Sequence, residues 1–428
     1  MTQAPSRTAA IRALARQDSP AAEAALTALL ADLFAIAPQG LRINHDQYSL
    51  NSLNGFFEAA GEGFFFKFHQ EEGEAEMAGE YYRADILARA GLPVDLPLWS
   101  STQPGEQILV YRRRAEPRFS DVLRGLDLAP DALAAGRALA AQAALEDHLL
   151  AVARTSLAPI TPAQSAAEPI HRLFHQRLVD PASGHWPGGR FAAFYQGQSF
   201  ALPGCTLDWQ AFSTARPVLN GVEYRDDVGT LFARAAARLH PARLADAGGI
   251  VAHGDAHNAN VWYERGAVAD RLVFFDPAFA GAAVPSLLAE VKATFHNHLA
   301  HPFWLYDPGL ACDHFRVTAR HDGVRLYLET DWQPNALRQD LLAVKAAHYW
   351  KPWLATLAGA GMLPGDWEDV LRLALFLCPT LVMNLRAGAG GHSPQSSAIG
   401  FAMAIMAGSP PVAGQDLMTR FFDSIRPA

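Results

Sequence analysis

The chain has 428 residues, of which 50% are hydrophobic and 18% are charged, and its formal net charge is -8. This is an ordinary globular composition, and the length can bury a large core in one large domain or in two to three smaller ones. The mild negative charge gives no basis for wrapping nucleic acid, so we expect no nucleic-acid partner.

Cysteine spacing and apolar runs bear on location. Cys205, Cys312 and Cys378 lie far apart without metal-type spacing, which predicts free thiols in a reducing compartment. The N-terminus lacks the apolar segment of a secretory signal. The longest apolar run, LALFLCPTLVM, contains Pro379 and is too short to span a bilayer, so it predicts a buried helix. We therefore expect a cytoplasmic protein without a membrane partner.

The first part of the chain predicts a small sheet with helices. Residues 20–37 have helical apolar spacing. The aromatic-rich stretch QYSLNSLNGFFEAAGEGFFFKFHQ is interrupted at Asn54-Gly55 and again at 61–63, which predicts three strands joined by turns. A helix that ends at Gly91 follows, and EQILVYRRR predicts one more strand.

The rest of the chain predicts a mainly helical region. Residues 129–152 are rich in Ala and Leu and predict a helix, whereas 155–225 predict an insertion of short helices and loops. The only strand pair predicted in this region flanks VAHGDAHNANVWY, and the chain after about residue 285 is expected to be mostly helical. This order predicts an α+β fold and not alternating βα units.

The stretch VAHGDAHNANVWY concentrates polar side chains between apolar flanks. Asp255 and Asn260 lie on a loop that enters a strand, and Asp276 ends the second strand of the predicted hairpin, so we expect the three side chains to lie close together. Phosphoryl transfer uses such a trio, because one carboxylate orients the attacking hydroxyl while an amide oxygen and a second carboxylate hold Mg²⁺. The alternative is a metallohydrolase in which His253, Asp255 and His257 bind a transition metal ion.

HGDAHNAN resembles the His-Gly-Asp-x-His-x-x-Asn loop of the aminoglycoside phosphotransferase and choline kinase group, and FFDPAFAG resembles its Asp-Pro-x-x-x-Gly metal loop. That group is similar to protein kinases, with two lobes and ATP in the cleft. The resemblance implies that Asp255 is the catalytic base and that Asn260 and Asp276 hold Mg²⁺. It implies a structural role for His253, and it leaves His257 either contacting phosphate or bracing the loop.

The resemblance also implies a lysine on the third strand of the first lobe, and GFFFKF supplies Lys67. A buried ammonium needs an acidic partner, because a lone buried charge is very costly. The resemblance places that partner on the following helix. Glu80 fits best there, and Glu74 and Glu76 are its rivals.

Two further segments are expected to contact the nucleotide. ILVYRRR resembles the hinge of the group, where backbone groups from Val110 to Arg112 would hydrogen bond adenine. The first hairpin has no Gly-x-Gly-x-x-Gly sequence. The backbone N–H groups of Ser52, Asn54 and Gly55 are predicted to cradle phosphate instead.

The resemblance implies a protein kinase-like, two-lobed α+β fold. The predicted N-terminal lobe is 1–109, with a small antiparallel sheet, and the predicted hinge is 110–114. The predicted C-terminal lobe is 115–428, mainly helical, with the insertion and a helical extension that together are expected to build the acceptor pocket.

The predicted function is an ATP- and Mg²⁺-dependent small-molecule kinase. Its acceptor is expected to be a hydroxyl group of a sugar, an amino alcohol or an aminoglycoside-like compound. Acidic and basic residues nearly balance after residue 285, so no acceptor class is singled out. Besides the metallohydrolase, a kinase-like module that binds nucleotide without catalysis is an alternative. The Gly-rich stretch AGAGGHSPQSS follows a predicted helix and is interpreted as an interhelical loop.

Overall fold

The computed structural model divides the chain into one unit of Met1–Glu116 with Val273–Ala278 and another of Pro117–Leu272 with Phe279–Ala428. The structure describes residues 6–44, 52–69, 83–103, 105–300 and 302–427. The predicted α+β class is confirmed, because the first unit holds an antiparallel sheet and the second is mainly helical. The segment 273–278, which the sequence-based division gave to the second lobe, belongs to the first unit. The hinge at 110–114 stays a prediction.

The first unit consists of helices and a five-stranded sheet. Its elements are α1 Arg7–Ala15, α2 Ser19–Phe34, β1 Gln39–Ile43, β2 Ser52–Ala59, β3 Glu62–His69, a helix α3 at residues 83–89, β4 Trp99–Ser101 and β5 Ile108–Arg112. The strand order is β1-β2-β3-β5-β4, and all neighbours are antiparallel. The helix predicted at 20–37 is confirmed as α2, whose N-terminus is capped by the Asp18 carboxylate.

Strand β3 shows how the sheet positions a polar residue. Phe64, Phe66 and Phe68 are buried in the core against α2. Because side chains alternate along a strand, Lys67 projects from the opposite face. Lys67 therefore lies on the third strand, as predicted.

The predicted turn at Asn54-Gly55 is wrong. Both residues lie inside β2, where Asn54 faces Lys67 across the ladder. A Cβ on Gly55 would lie 2.0 Å from the carbonyl oxygen of Arg42, so the glycine permits a close strand approach and does not make a turn. The β2–β3 turn is formed by Ala60 and Gly61, both with positive φ.

The second unit is mainly helical. Its helices are α4 Phe119–Leu128, α5 Ala132–Ser156, α6 Pro162–Ala167, α7 Gly189–Tyr195, α8 Trp209–Thr214, α9 Val228–Arg238, α10 Val291–Thr294, α11 Ala311–His314, α12 Ala336–Val344, α13 Lys351–Gly359, α14 Trp367–Val382, α15 Pro394–Gly408 and α16 Leu417–Ile425. Segments with π-type hydrogen bonding are Phe295–Leu299, Pro302–Tyr306 and Lys345–Trp350.

The second unit contains more strands than the sequence predicts. They are β6 Ser199–Leu202, β7 Cys205–Asp208, β8 Arg216–Leu219, β9 Val222–Glu223, β10 Gly249–Ala252, β11 Val261–Glu264, β12 Arg271–Phe274 (which ends in the first unit), β13 Gly281–Pro285, β14 Val317–His321 and β15 Arg325–Thr330. The prediction that only one strand pair occurs here is therefore wrong. The insertion contributes β8 and β9 to a sheet of order β14-β15-β8-β9, in which β8 and β15 are parallel.

The buried helix predicted around Pro379 is confirmed as α14, which packs against α15 and α10. The Gly-rich loop is confirmed between α14 and α15, although α15 already begins at Pro394, after the cap Ser393. The cysteines are free, as predicted. Among the described residues, no helix combines the length and apolar character needed to cross a bilayer.

Candidate functional site

The His-Gly-Asp loop leaves β10 in a conformation that requires its glycine. Gly254 has a φ of +76°, and a Cβ there would lie 2.5 Å from the carbonyl oxygen of Phe279. The His253 side chain is fully buried, and the Asp255 N–H faces its Nδ1 at 3.3 Å. The structure thus places His253 behind the loop and directs the chain so that Asp255 follows at its tip.

Hydrogen bonds within the loop fix Asp255 further. The His257 N–H and the Asn260 side-chain Nδ2 both donate to the backbone oxygen of Asp255, at 2.9 and 3.0 Å. The Asn258 N–H donates to Oδ1 of Asn297 at 2.7 Å, which ties the loop to the π-type segment after α10. The loop is therefore braced by its own side chains and by a neighbouring element.

The Asp255 carboxylate has a cationic neighbour. Nζ of Lys292, on α10, lies 2.6 Å from Oδ1 of Asp255, so the two side chains form an ion pair. The two side chains are only 9% and 10% exposed. Nε2 of His257 lies 3.5 Å from the same oxygen. Asp255 is thus a nearly buried carboxylate whose charge is balanced by Lys292.

The second unit places further polar groups around this pair. Burial, together with the charges of Lys292, His257 and Arg177, lowers the pKa of His296 well below its usual value. Burial also raises the pKa of the Cys378 thiol to about 12, so it stays protonated at neutral pH. His296 and Cys378 are therefore uncharged at neutral pH, and the positive charge near them comes from Lys292 and Arg177.

The first unit carries a second ion pair. Nζ of Lys67 lies 2.9 Å from Oδ1 of Asp276, and the Lys67 side chain is 13% exposed. The segment that carries Asp276 is held by Phe274, whose N–H donates to the oxygen of Pro93 and whose oxygen accepts from the N–H of Asp95. Two residues that are far apart in the chain, both predicted to act on the nucleotide, are therefore brought together.

The backbone at Asp276 is unusual. Its φ is +56°, in the left-handed region that few residues other than glycine adopt. Asp tolerates this conformation better than most residues, because its short polar side chain bonds locally. The strained backbone aims a carboxylate at Lys67, and strain of this kind concentrates at functional sites.

The structure bears less directly on the other predicted nucleotide contacts. Glu80, with its rivals Glu74 and Glu76, lies outside the described residues, so the acidic partner on the helix stays a prediction. Val110 lies inside β5 between β3 and β4, and its carbonyl oxygen already accepts the N–H of Leu98 at 2.7 Å. Because a carbonyl oxygen can accept two hydrogen bonds, this contact leaves room for a second donor, and the adenine contact at Val110 stays a prediction.

The remaining residues of that set lie on the sheet. The Arg112 side chain forms an exposed ion pair with Glu62, and its backbone role stays a prediction. Ser52, Asn54 and Gly55 lie in β2, paired with β3 along its length. The phosphate-cradle role of these three residues also stays a prediction.

Lys292 was missed by the sequence reasoning, although the composition holds a signal for it. Lys and Arg together number 35, but only four of these residues are Lys. Lys67, Lys292 and Lys345 have side chains that are 13%, 9% and 1% exposed, and each contacts a carboxylate. Most of the basic residues in this chain are Arg. A Lys that occurs within the apolar stretch AEVKATF therefore indicates a buried charge.

Each of the two predicted magnesium ligands carries an oxygen donor of the kind that hard cations prefer. Asn260 uses its Nδ2 on the loop, which leaves its amide oxygen for a cation, and Asp276 carries a carboxylate that contacts Lys67. A transition metal bound by His253, Asp255 and His257 would face the ammonium of Lys292 beside the same carboxylate. Among the described residues, no group of three or more His, Cys, Asp or Glu side chains is arranged to hold a metal ion.

No protein-family model matches the chain, and no curated protein matches it. Among solved structures, the chain is similar to a thermostable mutant of aminoglycoside phosphotransferase APH(4)-Ia, with 15% identity, TM-score 0.43, and 89% and 97% of the two chains covered. It is also similar to macrolide 2'-phosphotransferase MphH from Brachybacterium faecium, with 13% identity, TM-score 0.38, and 90% and 98% covered. It is similar as well to a Plasmodium vivax ethanolamine kinase, with 8% identity, TM-score 0.38, and 86% and 81% of the two chains covered. At such distances, the activity must be argued from the residues of this chain.

Proposed function

We propose that the protein is an ATP- and Mg²⁺-dependent small-molecule kinase that transfers the γ-phosphoryl group to a hydroxyl group. The acceptor range predicted from the sequence is a sugar, an amino alcohol or an aminoglycoside-like compound. Phosphoryl transfer asks little covalent chemistry of the protein, so positioning and electrostatic stabilisation supply the catalysis.

Asp255 orients the acceptor hydroxyl in this proposal. The acceptor oxygen forms a bond to the γ-phosphorus, the bond from that phosphorus to the bridging oxygen of ADP breaks, and the hydroxyl proton goes to the Asp255 carboxylate. The braced loop fixes the carboxylate, which matters because such catalysis depends on geometry. Lys292 offsets the charge of Asp255 before the acceptor binds, and it offers a cation to the phosphoryl oxygens during transfer.

Lys67 and Asp276 act on the nucleotide in this proposal. Lys67 contacts phosphate oxygens, and Asp276 holds its ammonium in place until the nucleotide binds. Asn260 and Asp276 would hold Mg²⁺, which supplies positive charge against the phosphates when bound. Backbone groups near Arg112 are proposed to contact adenine.

The observation that supports the proposal most is the 2.9 Å contact between Lys67 and Asp276. The Lys67 side chain is nearly buried and needs an acidic partner, but the Asp276 side chain is 44% exposed, so a ligand can still approach the pair. Pairing the ammonium does not in itself require the left-handed backbone at Asp276. A role in binding phosphate does account for it.

The test is an ATP-consumption screen over sugars, sugar acids, amino alcohols, aminoglycosides and nucleosides with wild type and Asp255→Asn. We expect the variant to lose about 10²- to 10⁴-fold in turnover, because that is the usual contribution of a positioned base. ATP binding, measured by isothermal titration, should persist in the variant. Near-wild-type turnover by Asp255→Asn would contradict the proposed role.

The matched control is Asp340→Asn, since Asp340 is exposed on α12. It carries the same chemical change in the same unit and should leave turnover unchanged. Thermal unfolding of both variants separates lost chemistry from lost folding. ATP binding without consumption by any acceptor would favour the non-catalytic alternative.

A further inference from the structure

We propose that the acceptor is an anionic hydroxyl compound, whose carboxylate or phosphate group is bound by Arg177 and Arg190 while its hydroxyl group reaches Asp255. The identity of the reaction rests on the proposed function, whereas the anion site stands on contacts of its own. The proposal narrows the predicted acceptor range to compounds that carry negative charge.

Arg177 and Arg190 form a pair of guanidinium groups. Both donate through their NH1 atoms to the carbonyl oxygen of Leu381, at 3.2 and 3.1 Å, and Arg190 also donates to Val382 at 3.2 Å. Because they share one acceptor oxygen, the two groups lie side by side. Arg177 is half-buried and Arg190 is exposed, so the pair is reachable from solvent at one end.

No carboxylate within the described part of the chain lies at ion-pair distance from either guanidinium. Every guanidinium has five N–H donors, and one or two backbone oxygens satisfy only a few of them. Two adjacent guanidinium groups without an acidic partner repel each other. They present the planar donors that bind carboxylate and phosphate with two parallel hydrogen bonds.

Arg177 lies within electrostatic range of Asp255. Burial and the charge of Arg190 lower the pKa of Arg177 to about 10, against the opposing charge of Asp255. Arg177 therefore remains protonated at neutral pH. Cys378 lies one turn before Leu381 on α14, and the charges of Lys292, Arg177 and Asp255 all act on the pKa of its thiol. Arg177 and the proposed catalytic carboxylate therefore both lie near this stretch of α14.

A second observation points to a ligand. His296 is 6% exposed, and its Nδ1 contacts the hydroxyl of Tyr306 at 2.6 Å. Its Nε2 is buried and has no hydrogen-bond partner among the described residues. The His296 ring lies 5.9 Å from that of His257, which contacts Asp255. A buried polar atom normally has a hydrogen-bond partner. In this proposal, the Nε2 atom of His296 forms a hydrogen bond with a hydroxyl group of the acceptor near Asp255.

The charge balance decides against a polycationic acceptor. Lys292 already balances Asp255, and no described carboxylate pairs with Arg177 or Arg190, so positive charge is in excess around Arg177, within electrostatic range of Asp255. An aminoglycoside or an amino alcohol would bring further positive charge into this environment, where like charges repel strongly. An anionic group would instead supply the carboxylate or phosphate that the arginine pair lacks among the described residues.

A purely structural role for the pair makes a different prediction. Arginines stabilise a helix C-terminus by donating to its last carbonyl groups, and Leu381 and Val382 end α14. In that case, replacing either arginine would lower the unfolding temperature and leave the Michaelis constant for the acceptor unchanged. The kinetic constants therefore separate the two roles.

The experiment compares matched acceptors in the ATP-consumption assay, namely glycerol with glycerate and glycerol 3-phosphate, and glucose with gluconate and glucose 6-phosphate. We expect the anionic members to have a KM at least about 10-fold below that of the neutral member. The carboxylate and phosphate members of each set show which anion is preferred. Ethanolamine and an aminoglycoside serve as the cationic members.

The variants are Arg177→Met, Arg190→Met and Arg190→Lys, with Arg225→Met, an exposed arginine of the same unit, as control. Both methionine variants should raise the KM of the preferred anion about 10- to 100-fold with little change in kcat, because the anion is bound but not transformed. Arg190→Lys should recover part of the affinity. Preference for neutral or cationic acceptors, or an unchanged KM in the methionine variants, would overturn the proposal.

Thermal unfolding tests the anion site even if no acceptor consumes ATP. Glycerol 3-phosphate and gluconate are each titrated against wild type and the double variant Arg177→Met, Arg190→Met. At least one of these anions should raise the unfolding midpoint of wild type and not that of the double variant. This result would support the anion site even if the kinase proposal had failed. Equal midpoint shifts in both proteins, or none in either, would sink the anion site.

Discussion

At the scale of single residues, Asp255 is fixed from two directions. Gly254 allows the chain to turn, because its φ of +76° and its close approach to Phe279 exclude a side chain. Lys292 then lies 2.6 Å from the carboxylate. The backbone and the charge environment of Asp255 are thus both set before any ligand binds, which limits the reorganisation required during a reaction.

Gly254→Ala tests this arrangement. We expect a loss of about 1–3 kcal/mol in the free energy of unfolding, because alanine is strained at this φ and its Cβ would meet a backbone oxygen. Turnover should fall as well, since the loop that carries Asp255 must shift. Urea unfolding and the ATP-consumption assay measure the two effects.

Gly136→Ala is the matched control for that substitution. Gly136 lies inside α5, and nothing lies within 4 Å of the position of an added Cβ. Alanine should therefore stabilise the protein by about 0.5–1 kcal/mol, since glycine is unfavourable within a helix. Unchanged stability and turnover in Gly254→Ala would contradict the role given to the loop glycine.

The residues that could be predicted are those whose neighbours along the chain define their role. HGDAHNAN and FFDPAFAG are continuous stretches, and the alternation in GFFFKF identifies the face of Lys67. Lys292, Arg177 and Arg190 could not be found in this way, because their significance comes from contacts with residues that are distant in the chain. Only the rarity of Lys gave a local signal.

At the scale of secondary-structure elements, a buried ion triad joins three parts of the second unit. Nζ of Lys345 lies 2.6 Å from Glu146 on α5 and 2.7 Å from Glu290, just before α10. All three side chains are 1–2% exposed. Because α10 carries Lys292, the triad connects the packing of the long helix α5 to the position of the site.

The triad makes stability depend on pH. Burial raises the pKa of Glu146 to about 7, above its ordinary value of 4.5. The folded protein therefore binds a proton more tightly than the unfolded chain between these values, so this group's contribution to the free energy of unfolding falls as the pH rises from about 5 to 7. The slope from one such proton is at most about 1.4 kcal/mol per pH unit.

Glu146→Gln should remove this contribution. Its free energy of unfolding should change less with pH in that window than that of wild type, whereas Glu329→Gln, at an exposed position of β15, should behave as wild type does. Urea unfolding at several pH values, followed by circular dichroism, gives the comparison. Parallel pH profiles for wild type and Glu146→Gln would show that Glu146 does not titrate differently in the folded state.

Element prediction failed where the chain relies on distant pairing. The strand β8 pairs in parallel with β15, more than a hundred residues later, so no local turn or alternation marks it. The prediction of α2 succeeded because its apolar spacing and its cap at Asp18 are local. The turn predicted at Asn54-Gly55 was wrong because this dipeptide occurs both in turns and where two strands approach closely.

At the scale of the whole molecule, the residues proposed to act on the nucleotide and on the acceptor divide between the two units. Lys67 and Asp276 belong to the first unit, because Val273–Ala278 is folded into it. Asp255, Lys292 and the arginine pair belong to the second, as does Asn260, the other residue proposed to hold Mg²⁺. The sequence predicts the two-part organisation, but the return of this short segment to the first unit depends on its contacts with Pro93 and Asp95.

This division predicts how nucleotide binding affects stability. A ligand that binds only the folded state stabilises it by about 2.7 kcal/mol at a hundredfold excess over its Kd, so ATP with Mg²⁺ should raise the unfolding midpoint of wild type. Lys67→Met should lose most of this shift, because the ammonium that contacts the phosphates is gone, whereas Lys351→Met, at an exposed position of the second unit, should keep it. Asp255→Asn should keep it as well, since Asp255 acts on the acceptor. An equal shift in Lys67→Met and wild type would mean that the lysine of β3 does not hold the nucleotide, whatever the assay of turnover shows.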